Sequence, residues 1–173
     1  MGLGQAQVSL IRELVAAAIE EQFEAQPELS MPSTSRVLAS LVQFGNQLGY
    51  FTVGPDDGAA WPGWVCDVCW VTLDPSGGIR GVALAVESEW GSSGDLHDDF
   101  AKLMVVRAEL RVMLCQAADA AAVSRIADEL HNLRTRFESG APDDRYLLAA
   151  YDQQRRKVRF AEAFGPGPWA WSA

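Results

Sequence analysis

The sequence predicts a mixed α/β domain in which a β-sheet carries helices on both faces. Three observations carry that prediction: apolar residues recur at helical spacing in several segments, two runs rich in β-formers flank a Gly-rich turn, and the two kinds of element alternate along the chain. With 173 residues, 49% of them hydrophobic, and no internal repeat or low-complexity tract, the whole chain, 1–173, reads as a single domain.

From Val8 to Ala25, the residues Leu10, Leu14, Val15, Ala18, Ile19 and Phe23 follow helical spacing while Arg12, Glu13, Glu20, Glu21 and Glu24 lie largely elsewhere, which predicts an amphipathic helix. Pro27 and Pro32 interrupt the pattern. Ser33, Thr34 and Ser35 are cap candidates for a second helix over about Ser35–Leu48, stopped by Gly49, so the N-terminal part, 8–48, is helical. A short strand over Tyr50–Val53 and a surface loop at Gly54, Pro55, Asp56, Asp57 and Gly58 follow. Trp64–Leu73 and Arg80–Trp90 then read as the strands of a hairpin whose turn holds Asp74, Pro75, Ser76, Gly77 and Gly78. Beyond the Gly- and Ser-rich Gly91–Gly94, Phe100, Leu103, Met104 and Arg107 sit at helical spacing, in a helix begun by Asp95 or Asp98 as N-cap. Leu110–Cys115 reads as a buried strand that closes a core segment of 64–116. A helix over about 120–138 and strands over Arg145–Tyr151 and Lys157–Phe164 complete a C-terminal part, 120–164.

The longest strongly apolar stretches, Leu14–Ile19 and Val82–Val86, fall far short of a membrane span, and no basic region with an apolar signal core opens the chain. A cytoplasmic protein without a membrane partner is expected. Three cysteines, Cys66, Cys69 and Cys115, are an odd set and read as reduced. Cys66 and Cys69 spell C-x-x-C, but in a continuous strand they point to opposite faces, which argues against one zinc ion held by both. A formal charge of −9 counts against tight nucleic-acid binding, which ordinarily needs a basic face to neutralise phosphates.

One constellation on the hairpin calls for a chemical account. Asp67 stands among Val65, Cys69 and Val71 where the alternation asks for an apolar residue, and Glu87 and Glu89, two apart, share a row with Ala83 and Ala85. With the turn centred near Gly77, Asp67 and Glu87 face one another across the hairpin, and three carboxylates converge. Such a cluster repels itself unless a cation sits among its oxygens, and oxygen ligands suit Mg²⁺ or Mn²⁺.

At these residues the sequence resembles the PD-(D/E)XK, or restriction-endonuclease-like, nuclease superfamily: an acid on one strand, Asp67, then an E-x-E pair, Glu87 and Glu89, ending the next. The common pattern has lysine where Glu89 stands; the arrangement here follows the E-x-E minority. The resemblance spans roughly 64–116, and E-S-E-W, D-F-A-K-L and V-R-A-E-L-R-V-M-L are similar to uncharacterised bacterial proteins of that superfamily. It implies a mixed sheet flanked by helices and divalent-metal-dependent hydrolysis of nucleic-acid phosphodiester bonds. Asp67, Glu87 and Glu89 would be the metal ligands, Glu89 alternatively a water-orienting base, and Lys102, on the following helix, a migrated lysine that stabilises charge on the phosphate. A homodimer is implied only by analogy with enzymes that cut both strands of a duplex.

Set beside that expectation is a catalytically inactive interaction or accessory protein on the same fold that binds a protein partner, a reading favoured by the acidic charge, the small size and the missing motif lysine. His97 lies near the expected site in a polar segment, and His131 reads as structural or solvated. Arg155, Arg156, Lys157 and Arg159 form the one concentrated basic cluster, most simply a solvated turn. Trp169 and Trp171 are too apolar for water and are expected to pack on the domain or on a second subunit.

Overall fold

The computed structural model describes residues 3–29, 31–55, 65–91 and 93–172. Among these residues the element order is α1 (Gln5–Ala25), α2 (Thr34–Gln47), β1 (Phe51–Val53), β2 (Val68–Leu73), β3 (Ile79–Glu89), α3 (Ser93–Val105), β4 (Ala108–Ala117), α4 (Ala120–Arg136), β5 (Arg145–Asp152), β6 (Lys157–Phe164) and β7 (Ala170–Trp171). The seven strands form one mixed sheet in sequence order. β1, β2 and β3 pair antiparallel, β3, β4 and β5 pair parallel, and β5, β6 and β7 pair antiparallel. The expected mixed α/β fold with helices on both sheet faces is what the chain adopts. No helix among the described residues is long and apolar enough to cross a membrane.

The parallel centre explains where the helices lie. Each parallel connection needs a crossover, and β3 to β4 to β5 advances in one direction, so two crossovers of the same hand place α3 and α4 on one face. Phe100 and Leu103 of α3 and Val123 and Leu130 of α4 pack there on Ala85, Met113 and Leu148. α1 and α2 cover the opposite face, where Ile11, Ile19 and Leu41 meet Trp70, Leu84 and Val112. With both faces covered, β4 and β5 are almost continuously buried, as L-R-V-M-L-C and Y-L-L-A-A-Y suggest.

Trp70 anchors the α2 face. Its indole is fully buried, stacks on Tyr50 at 5.4 Å, meets the edge of Phe44 at 5.8 Å and donates Nε1–H to the Leu41 carbonyl at 3.1 Å. α2 approaches so closely because Gly45 has no side chain: a Cβ there would fall 2.5 Å from Trp70 Nε1 and 2.6 Å from Thr52 Cγ2. Gly45→Ala is therefore expected to cost about 1–3 kcal/mol through overpacking, although alanine is the better helix former. Urea denaturation checks this; an unchanged or raised midpoint would mean that α2 shifts without cost.

The hairpin turn is the expected one. Gly77 takes a positive φ of 85°, and Asp74 Oδ1 accepts from the backbone N–H groups of Ser76 and Gly78. Four details differ from the sequence reading, one being that α3 ends at Val105 and leaves Arg107 outside the helix. β2 begins at Val68, because Val65, Cys66 and Asp67 form a bend; Trp64, expected to start the strand, lies outside the described residues, as do Asp56, Asp57 and Gly58 of the expected loop. α3 begins at Ser93 rather than at an Asp95 or Asp98 cap, so Asp95 occupies its first turn. The sheet also gains β7, which pairs Ala170 and Trp171 with β6 and seats the tail on the domain.

Candidate functional site

Asp67 and Glu87 are brought together by the register of the hairpin. Val68 pairs with Val86, so Asp67, in the bend just before β2, and Glu87, on β3, are the residues next to that pair. A register shift between Trp70 and Val71 alters the rest of the row. Ala83 consequently packs in the α1/α2 core while Ala85 packs under α3, which corrects the reading that Ala83 shares a face with Ala85 and the two glutamates.

Glu87 is only 1% exposed. Its Oε2 lies 3.6 Å from the Lys102 ammonium, and its Oε1 is buried with no hydrogen-bond partner among the described residues. Burial, then the nearby Asp67 charge, pushes its pKa up to about 9, against the opposing pull of Lys102. Lys102 rises one turn of α3 beyond Asp99, whose Oδ1 takes its ammonium at 2.6 Å and holds the lysine charged. Asp67 is positioned from the other side: its Oδ2 accepts from Ser88 N at 2.9 Å and Ser88 Oγ at 2.8 Å.

Glu89 stands apart. Its Oε1 accepts the Gly91 N–H, and its side chain borders a cavity of about 230 Å³ between the ends of β3 and β4 and helices α3 and α4. Three carboxylates therefore do not converge; among the described residues no three His, Cys, Asp or Glu side chains form a group that could hold a metal ion. The physical reason is local. Asp67 lies in the bend and leans to Ser88, whereas Glu89, at the last position of β3, turns to cap the following backbone. What assembles is a pair, Asp67 and Glu87, with Lys102 and Asp99 beside it.

The bend also changes the cysteines. Outside a strand, Cys66 need not point away from Cys69; both are buried in the same core layer, under α3 and α4. The expectation of opposite faces is thus corrected. The neighbouring Cys69 thiol, then burial, pushes the Cys66 pKa up, and burial alone pushes Cys115 up to about 12, so Cys66 and Cys115 stay protonated at neutral pH.

His97 of α3 is directed to α4, where it contacts Glu129 at 3.0 Å. The basic cluster is largely engaged: Lys157 binds Glu20 at 2.6 Å, Arg155 stands 3.9 Å from Asp152, and Arg159 covers the Trp171 ring at 4.8 Å. Sequence reasoning missed Ser88 and Asp99. Ser88 was legible as the residue between the two glutamates, and Asp99 as the acid one helical turn before Lys102.

The raised Glu87 pKa has a stability consequence. The folded protein holds this proton more tightly than the unfolded chain, whose glutamate titrates near 4.5, so the neutral carboxyl's contribution is complete below that value and is lost as pH rises toward 9. Glu87→Gln keeps the shape and removes the titration. The variant's melting temperature is expected to match the wild type near pH 4.5 and to exceed it increasingly toward pH 9, by calorimetry. A difference that does not vary with pH would place the Glu87 proton elsewhere.

Compared with protein families and with curated proteins, the chain matches none.

Proposed function

We propose that this protein hydrolyses phosphodiester bonds of nucleic acid with a divalent cation held by Asp67 and Glu87. The observation that carries the reading is the buried, unpartnered Glu87 Oε1 next to Asp67, with the Lys102 ammonium 3.6 Å from the other Glu87 oxygen. An orphaned buried carboxylate oxygen is costly and is relieved by a cation. The donor set fits Mg²⁺ or Mn²⁺, because magnesium commonly takes one or two carboxylates and completes its shell with water and substrate phosphate. When bound, the ion would polarise the phosphoryl oxygen and lower the pKa of a coordinated water.

The chain's own residues supply the rest. Ser88 fixes the Asp67 carboxylate through two hydrogen bonds, and Asp99 fixes the lysine. Lys102, 45% exposed, can reach a bound phosphate and offset its developing charge. Glu89 joins the centre only after releasing Gly91 N–H, as a third ligand or as a base that orients water. The reading is supported by the place of these residues, at the entry of β2 and the exit of β3, which the E-x-E resemblance implies. The test is cleavage of single- and double-stranded DNA and RNA with Mg²⁺ or Mn²⁺. Metal-dependent cleavage that disappears in Glu87→Ala supports the proposal; cleavage that persists in the variant, or none with any substrate, contradicts it.

A second reading, an inactive accessory protein that captures a protein partner, is favoured by one observation: the net charge is −9, and three residues of the basic cluster, Arg155, Lys157 and Arg159, already contact Asp152, Glu20 and Trp171. Partner capture unaffected by Glu87→Ala, in a protein without cleavage, would select it.

A further inference from the structure

The tail builds a second feature, remote in sequence from Glu87. Between α4 and β7 lies a cavity of about 160 Å³ walled by Ser124, Ala127, Asp128 and His131 from the helix and by Pro168, Trp169 and Trp171 from the tail. The tail is held in place on this side. Trp169 donates its Nε1–H to the Ala127 carbonyl at 2.8 Å, and Arg134 binds the carbonyls of Gly165 and Gly167 at 2.5 and 2.8 Å.

The lining has a definite chemistry. Two indoles, an imidazole and a proline ring supply flat apolar surface, and Asp128 supplies the charge; no lysine or arginine lines the cavity. Among the described residues the Asp128 carboxylate has no hydrogen bond or ion pair, and His131 Nδ1 is buried without a partner. One face of each indole already carries a guanidinium, with Arg134 4.4 Å from the Trp169 ring centre and Arg159 4.8 Å from that of Trp171, so a ligand in the cavity meets what remains of each ring. Indole faces attract cations through the ring quadrupole, and they do so best for soft, weakly hydrated ones. The volume is below the roughly 300 Å³ at which pockets for whole drug-sized ligands begin, and so suits a head group.

From this lining we infer that the cavity binds a small organic ammonium cation, with its charge against Asp128 and its alkyl surface against Trp169 and Trp171. An anion would meet the Asp128 carboxylate with no lysine or arginine in the lining, and an inorganic cation would find a single carboxylate, short of the several oxygen ligands it needs to replace its water shell.

The test compares choline with 3,3-dimethylbutan-1-ol, which has the same shape and no charge, by titration of the full chain followed through the indole N–H resonances of Trp169 and Trp171. Choline is expected to move these resonances saturably and to bind at least about tenfold more tightly than the alcohol. Trp171 is 38% exposed and Asp128 is at the surface of α4, so Trp171→Ala and Asp128→Asn should keep the fold, verified by unchanged melting, and each should weaken choline binding about tenfold. Equal binding of choline and the alcohol, choline binding unaltered in both folded variants, or no saturable shift would overturn the inference.

Discussion

Trp70→Ala is expected to lower the free energy of unfolding by about 3–5 kcal/mol, the usual cost of truncating a fully buried large aromatic. The site has little room to collapse. The indole lies between Phe44 and Tyr50, sits on a close approach made by Gly45, and donates a hydrogen bond to the Leu41 carbonyl. Removing it opens a void and deletes that donor at once. Since Trp70 belongs to β2 and pairs with Leu84 of β3, the loss also loosens the strand that positions Asp67. Equilibrium denaturation in urea measures the effect, and a cost below about 1 kcal/mol would show that α2 closes over the gap.

Glu87→Gln is expected to reduce metal-dependent cleavage by a factor on the order of 10² or more, since loss of even an outer partner of a metal ligand costs 10- to 100-fold. The substitution leaves a side chain of the same shape beside Lys102, so folding is retained and the loss falls on chemistry. Ser88→Ala is the useful companion. It deletes the hydroxyl that binds Asp67 Oδ2 but keeps the backbone N–H bond to the same oxygen. A smaller loss is expected there, and steady-state cleavage rates for the two variants compare the proposed ligand Glu87 with Ser88, which positions Asp67. Equal losses would mean that Glu87 is no more central than its neighbour.

The parts of this structure that were legible in the sequence are those set by periodicity and turn chemistry. Apolar spacing located α1 and α2 to within a few residues at each end, and Gly77 set a register that places Asp67 opposite Glu87. The remainder depends on packing. Nothing in G-V-A-L-A-V announces the register shift near Ala83, which follows from how β2 and β3 settle between two helical layers. The bend at Val65, Cys66 and Asp67 likewise interrupts a run of strong β-formers, and with it go both the turn of the Asp67 carboxylate to Ser88 and the burial of Cys66 beside Cys69 in one core layer. Glu89 was read correctly in parity and differently in contact: strand alternation assigns a face, whereas the Gly91 N–H at the strand end decides where the carboxylate turns. β7 is too short for any periodic signal, and only the two tryptophans hinted that the tail would pack.

The central claim is that Asp67 and Glu87 hold a divalent cation, and isothermal titration of Mn²⁺ tests it most directly. The cation must displace the Glu87 proton, which is held up to about pH 9, so binding should tighten from pH 6 to pH 8.5, with protons released on binding. The account predicts one saturable site with that pH dependence, lost in the folded Asp67→Ala/Glu87→Ala variant. Binding that is absent at every pH, or that persists unchanged in the double variant, would contradict it.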